Sequence, residues 1–165
     1  GNNNFIVHAG DVAIIGSKIH PVRRLMEAGE DPDVSAVLLF RKVNDPERHG
    51  VPTLEKISNK KFIVKKVVEK PKKPSSNLGL MPIYYFKPKI FEKLNKIKLG
   101  KGNEFQLTDA IQELISSGEK VLAIPLLEKE KVLDVGTVES YMESQITSFR
   151  YAWFLISGSK NRVWK

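Results

Sequence analysis

Cysteine is missing from all 165 residues. That excludes disulfides, thiolate metal centres and a cysteine nucleophile, and it suits a reducing compartment such as the cytoplasm. Long apolar runs are missing too. The densest, "YAWFLI" at 151–156, falls far short of the roughly 20 residues that cross a bilayer, so no membrane role is expected. The amino terminus, "GNNN", lacks a basic-then-apolar signal pattern. His8, His20 and His49 show no metal-ligand spacing among themselves, and His8, inside an apolar run, reads as a core residue. Gly-x-Gly-x-x-Gly, Walker A, nucleophile-elbow and His-Glu-x-x-His motifs are all absent. No internal repeat or clear linker divides the chain.

Positive charge, by contrast, is plentiful. The formal net charge is +8, which favours anionic partners. Seven lysines fall within residues 60–73: Lys60, Lys61, Lys65, Lys66, Lys70, Lys72 and Lys73. A solvated hairpin explains most of them as well as a binding role does. Nucleic acid is a poor fit as partner, because the run lacks interleaved aromatics and matches no helix-turn-helix, zinc or RNA-binding signature. The 41% hydrophobic and 28% charged shares are ordinary for a globular protein, and the length fits one domain with a sizeable core.

The hydrophobic pattern switches between a period of two and one near 3.6. "FIVHAG" (5–10), "SAVLLF" (35–40), "KFIVKKVVEK" (61–70) and "MPIYYF" (81–86) read as strands, and "VPTLE" as a brief extended piece. Pro21 opens a helix that Gly29 closes. A second helix begins after Pro88, with Ile90, Phe91, Leu94 and Ile97 facing inward. Leu107, Ala110, Ile111, Leu114 and Ile115 give a third helix one apolar face, ended by Gly118. "VLAIPLL" (121–127) reads as an edge strand because of its proline. After "VLDVG" (132–136), Thr137 caps a long helix whose inner face would carry Val138, Tyr141, Met142, Phe149 and Trp153. This alternation predicts an α/β protein with a Rossmann-like mixed sheet flanked by helices.

Four residues stand where chemistry gathers in such folds. Asp11 follows an apolar strand and Gly10, and Asp134 ends "VLD" just before a helix. Carboxylates at strand ends suit Mg²⁺, which takes one or two of them together with phosphate oxygens. For Asp11 taken alone a loop aspartate that caps a helix is the better explanation, one such aspartate at Asp134 means little by itself, and sequence alone does not bring the two together. Glu69 and Lys70 precede Pro71. On an extended strand they point to opposite faces, so they reach one ligand only where the strand breaks. Glutamate would accept from sugar hydroxyls and lysine would neutralise a phosphate. A surface ion pair is the competing explanation.

With these residues in place, the chain resembles the sugar-1-phosphate nucleotidyltransferases, such as the glucose-1-phosphate uridylyl- and thymidylyltransferases. "FIVHAGD", "ERHGVPTLE", "VVEKPKKPSSNLGLMPIYYF", "GNEFQLTDAIQELI" and "VLDVGTVESYMES" occur in that family's order across about residues 5 to 144. The resemblance implies nucleotidyl transfer from a nucleoside triphosphate, UTP or dTTP, to glucose 1-phosphate. It implies that Asp11 and Asp134 bind Mg²⁺ and that Asp11, Lys70 and Asp134 are catalytic. Gly50, Glu69, Lys70 and Asn77 would bind the sugar phosphate. Residues 1–156 would form the carboxyl-terminal portion of the catalytic domain, with 157–165 as a tail. The family's Gly-rich triphosphate loop has no counterpart here, so an upstream half or another chain is the expected partner, in a homo-oligomer. A non-catalytic sugar-phosphate-binding or regulatory subunit is the alternative. Pro82 stands where the family usually has glycine, which removes one backbone N–H from the sugar side.

Overall fold

The computed structural model describes residues 2–157. The tail expected at 157–165 lies, from residue 158 on, outside the described residues. In chain order the elements are β1 (Phe5–His8), β2 (Val12–Ile15), α1 (Pro21–Gly29), β3 (Val34–Lys42), β4 (Gly50–Ser58), β5 (Lys61–Glu69), β6 (Leu78–Phe86), α2 (Ile90–Leu94), α3 (Leu107–Ser116), β7 (Lys120–Pro125), β8 (Lys131–Asp134) and α4 (Val138–Ile156). They fall into two units. One comprises Gly1–His8 and Pro21–Leu126, the other Ala9–His20 and Leu127–Lys165. None of the described helices is long and apolar enough to cross a membrane.

The first unit is a six-stranded mixed sheet in the order β1-β6-β3-β7-β5-β4. Only β3 and β7 run parallel; the other neighbours are antiparallel. Strand β3 is central, and Val34 to Phe40 are all buried, which explains its unbroken apolar run. Alternate residues serve opposite faces. Ala36, Leu38 and Phe40 join Ile90 of α2 and Ala110, Ile111 and Leu114 of α3 in one core. Helix α1 packs on β3 and β6, with Leu25 fully buried. Helix α3 ends in a Schellman turn: Glu119 N–H donates to Leu114 O at 3.1 Å, Gly118 N–H to Ile115 O at 3.0 Å, and Gly118 has φ 83°.

Several expectations are corrected. β7 is an interior strand, not an edge. Pro125 is its last residue, paired with Phe40 of β3 but lying beyond the β5 pairing at Leu122 and Ala123, so its missing N–H removes nothing from the β5 ladder. Helix α2 has only five residues, and Phe91 points outward, stacking on Phe5 at 5.2 Å. β4 runs for nine residues rather than a brief extension. Pro82 lies inside a central strand and is accommodated by a bulge: Leu38 pairs with Tyr84 and Leu39 with Met81, leaving Pro82 and Ile83 unmatched on β3.

One departure from regular pairing positions the site. β5 pairs with β7 only at Phe62 and Ile63. Beyond that point α3 packs on β5. The Gln112 side-chain carbonyl accepts from Val67 N–H at 2.8 Å, replacing a bond the sheet no longer supplies. We expect Gln112→Ala to destabilise the protein by about 1–3 kcal/mol, the cost of orphaning a partly buried amide, in urea unfolding.

The start of the sheet is tied electrostatically. Glu119 accepts from Ser35 Oγ at 2.5 Å and pairs with Lys89 Nζ at 2.5 Å. Lys89 first, and Ser35 second, hold its carboxyl below the usual carboxylate range. A depressed carboxylate contributes stability that is present above its unfolded value and lost as pH falls through its folded value. Unfolding curves should therefore lose an increment on acidification below the ordinary glutamate range. Glu119→Gln should lower stability at neutral pH and flatten that acid limb.

Candidate active site

In the second unit, β2 and β8 form a two-stranded antiparallel ribbon. Its register places Val12 opposite Asp134, and Val135 N–H donates to the Asp11 carbonyl at 2.9 Å. Asp11, one residue before β2, is thus a neighbour of Asp134 at the end of β8, although sequence alone left them unlinked. Both are exposed. Asp134 Oδ1 accepts from Gly136 N–H at 2.8 Å and from Ser140 Oγ at 3.1 Å. A methyl group built on Gly136 would lie 3.2 Å from Asp134 Oδ1 and 3.8 Å from Asp11 Oδ2. Both carboxylates therefore border Gly136.

This donor set fits Mg²⁺. Two hard carboxylates lie beside Gly136, and Mg²⁺ draws its other oxygens from water or phosphate. No cluster of three or more His, Cys, Asp or Glu side chains suited to a metal occurs among the described residues.

In the first unit, the lip of β5 is a second polar centre. The strand ends at Glu69, and Lys70 has φ 40°. A non-glycine residue in this left-handed region costs about 1–3 kcal/mol. The break occurs at Lys70 itself, with Lys70 N–H donating to His49 O at 2.9 Å. It brings the two side chains onto one side, Lys70 Nζ lying 3.7 Å from Glu69 Oε1. Strict strand alternation would have kept them apart.

Glu69 is largely enclosed, its side chain 13% exposed. Thr108 Oγ1, from the first turn of α3, donates to Glu69 Oε2 at 2.9 Å. Gly50, opposite Glu69 in the β4–β5 ladder, is buried; a Cβ there would meet Thr108 Cγ2 at 2.9 Å and Glu69 Oε2 at 3.3 Å. Glycine at 50 thus lets α3 close on the glutamate. Burial first, and the Glu69 charge second, push the Tyr84 phenol above its ordinary range, so it stays protonated. His49 pairs with Asp45 at 3.3 Å. Asn77 is exposed, and its carbonyl accepts from Val43 N–H at 2.8 Å.

The Nucleotidyl transferase family profile matches residues 1–148. The chain belongs to that family. It is 32% identical over 168 residues to UTP--glucose-1-phosphate uridylyltransferase 1 of Staphylococcus saprophyticus, which covers 90% of this chain and 56% of that protein. It is 32% identical over 143 residues to a glucose-1-phosphate thymidylyltransferase of Streptomyces antibioticus, covering 87% of this chain and 38% of the other. Among solved structures, a UDP-glucose pyrophosphorylase complexed with UDP-glucose aligns with TM-score 0.82 at 28% identity, over 92% of this chain and 58% of that one. The chain therefore spans about half the length of these relatives. Their fold is the mixed α/β architecture expected from the sequence.

Of the residues singled out in the sequence, Asp11 and Asp134 come together in one unit. Gly50, Glu69 and Lys70 come together in the other, and Asn77 stands at the loop leading into β6. Sequence reasoning passed over Thr108 and Ser140. Thr108 was findable, since 108, 111 and 114 share a helical face and a polar residue on an apolar face needs a partner. Ser140 signalled itself only as the fourth residue of a capping sequence. We expect Thr108→Val to cost about 1.5–3 kcal/mol, because it removes a hydroxyl donor from an enclosed carboxylate. Thr108→Ser should recover most of the loss in thermal unfolding.

Proposed function

We propose that this chain contributes to nucleotidyl transfer from a nucleoside triphosphate, UTP or dTTP, to glucose 1-phosphate, with release of pyrophosphate. The adjacency of Asp11 and Asp134 on the β2–β8 ribbon carries the reading, and the names of the family's matching relatives support it. A phosphate oxygen of the sugar would attack the α-phosphorus of the triphosphate. The new P–O bond forms as the bond to the pyrophosphate bridge breaks, and no covalent enzyme intermediate is needed.

In this reading each residue has a positional task. Asp11 and Asp134 would hold Mg²⁺, whose contribution when bound is to neutralise phosphate charge. Lys70 places a point charge on the sugar phosphate. Glu69 has one oxygen committed to Thr108, so Oε1 is the atom that accepts from a sugar hydroxyl. Gly50 offers a flat backbone edge and Asn77 a rim contact. The triphosphate side would come from an upstream half or another chain. A homo-oligomer in the cytoplasm completes the proposal, and the exposed apolar residues Tyr141, Met142, Phe149 and Trp153 of α4 suit such association.

The test uses the protein expressed from its complete reading frame, with Mg²⁺, each triphosphate, and glucose or mannose 1-phosphate. Pyrophosphate release is expected. Asp11→Asn and Asp134→Asn should each lower kcat by about 10²-fold or more, as loss of a charge-stabilising group does. Sugar-phosphate binding without pyrophosphate from any pair would favour a non-catalytic subunit and reject the transfer reaction.

A further inference from the structure

We infer that Ser140 is a positioning residue for the Asp134 carboxylate, and that Ser144 anchors the same aspartate by its backbone. The inference rests on the proposal that Asp134 holds a divalent cation. Both serines lie on one face of α4, one turn apart. Ser140 Oγ is 3.1 Å from Asp134 Oδ1, and Ser144 Oγ donates to the Asp134 carbonyl at 2.8 Å. Ser144 is buried.

The proton count at Ser140 decides its role. Its oxygen accepts from Thr137 N–H at 3.0 Å and lies 3.2 Å from the Thr137 hydroxyl. It has a single proton to give. The acceptors in reach are Asp134 Oδ1, the Thr137 carbonyl at 3.1 Å and Thr137 Oγ1. An ionised carboxylate is the strongest of these. The resulting chain runs from the Thr137 hydroxyl to the Ser140 hydroxyl to Asp134, each bond strengthening the next. With Gly136 N–H also on Oδ1, that oxygen is fixed by two donors and Oδ2 is left to face a ligand. Groups behind a metal ligand set its orientation in this way. The second half of the helix cap, Ser140 N–H to Thr137 Oγ1 at 3.1 Å, is independent of the Ser140 proton, which allows the two roles to be separated.

The experiment measures Mn²⁺ affinity of the full-length protein by electron paramagnetic resonance, without nucleotide. Ser140→Ala should raise the Mn²⁺ Kd about tenfold, and Ser140→Thr, which keeps the hydroxyl, should stay within about twofold of the unaltered protein. Thr137→Ala breaks the cap and removes the first bond of the chain but leaves Ser140 on Asp134; it should destabilise the helix in circular dichroism melts and shift the Kd by no more than about twofold. Equal Mn²⁺ binding by Ser140→Ala would overturn the inference. So would a Thr137→Ala loss as large as that of Ser140→Ala, which would make the effect one of helix stability. If the unaltered protein binds no Mn²⁺, the metal reading of Asp134 fails by itself. Metal-free crystal structures then decide the positioning claim: an Asp134 side chain that swings away from Gly136 in Ser140→Ala upholds it, and an unmoved one overturns it.

Discussion

The grip of α3 on the far end of β5 is the constraint on which the Glu69–Lys70 centre depends. Strand β5 begins as a sheet strand and finishes as a helix-bound one. Its ladder to β7 stops after Ile63. A strand edge released inside a protein leaves polar backbone groups without partners, which the fold cannot leave unmet. One helix face meets them. Gln112 takes the Val67 amide, and Thr108, one turn earlier, takes the Glu69 carboxylate. Because 108 and 112 are four apart, a single docking orientation of α3 satisfies both. The carboxylate is therefore positioned by the same packing that buries Ile111 and Leu114. Its placement is as rigid as the core.

The second unit solves a similar problem with less material. A two-stranded ribbon is weak alone, yet here it must hold two like charges side by side. Donors are directed at the carboxylate on β8: an amide from Gly136 and a hydroxyl from α4. Helix α4 begins with a capping box, Thr137 and Ser140 satisfying each other's amides. Acceptors near a helix amino terminus also gain from its dipole. The start of α4 therefore does more than begin a helix. Together with Gly136 it places two donors on the Asp134 carboxylate.

Much of this was legible in the sequence, and the exceptions share a cause. Pro21 and Gly29 bounded α1 to the residue, since each acts through its own backbone. Gly118 and Thr137 marked helix ends for the same reason. Strand β2 was missed because four residues, "VAII", carry too little pattern, and its partner β8 lies far along the chain. β7 was misjudged because a proline was weighed by its presence rather than by its position at the strand's end. Helix α4 was misjudged more instructively. Its apolar residues Val138, Tyr141, Met142, Phe149 and Trp153 are exposed, while Ser144 is buried. Periodicity identifies an apolar stripe but not whether a neighbour covers it. The face that meets β8 is chosen by hydrogen bonds to Asp134, which hydrophobicity does not register. Asp11 and Asp134 were legible as residue types at strand ends, but their adjacency is a property of the ribbon's register.

The two centres also differ in environment in a way that suits different ligands. Asp11 and Asp134 are exposed, so their carboxylates stay in contact with water. Glu69 is enclosed, with one oxygen occupied by Thr108 and a lysine 3.7 Å from the other. The phenol of Tyr84 nearby is held protonated, so it adds no negative charge beside Glu69. An enclosed, singly charged acceptor with a fixed free oxygen discriminates by hydrogen-bond geometry, because a ligand lacking the matching donor would leave it buried and unmet. The pair thus sets an enclosed acceptor beside a more exposed cation. Pre-proline strain at Lys70 is the local device that brings them together, since an unbroken strand would have sent Lys70 to the opposite face of the sheet.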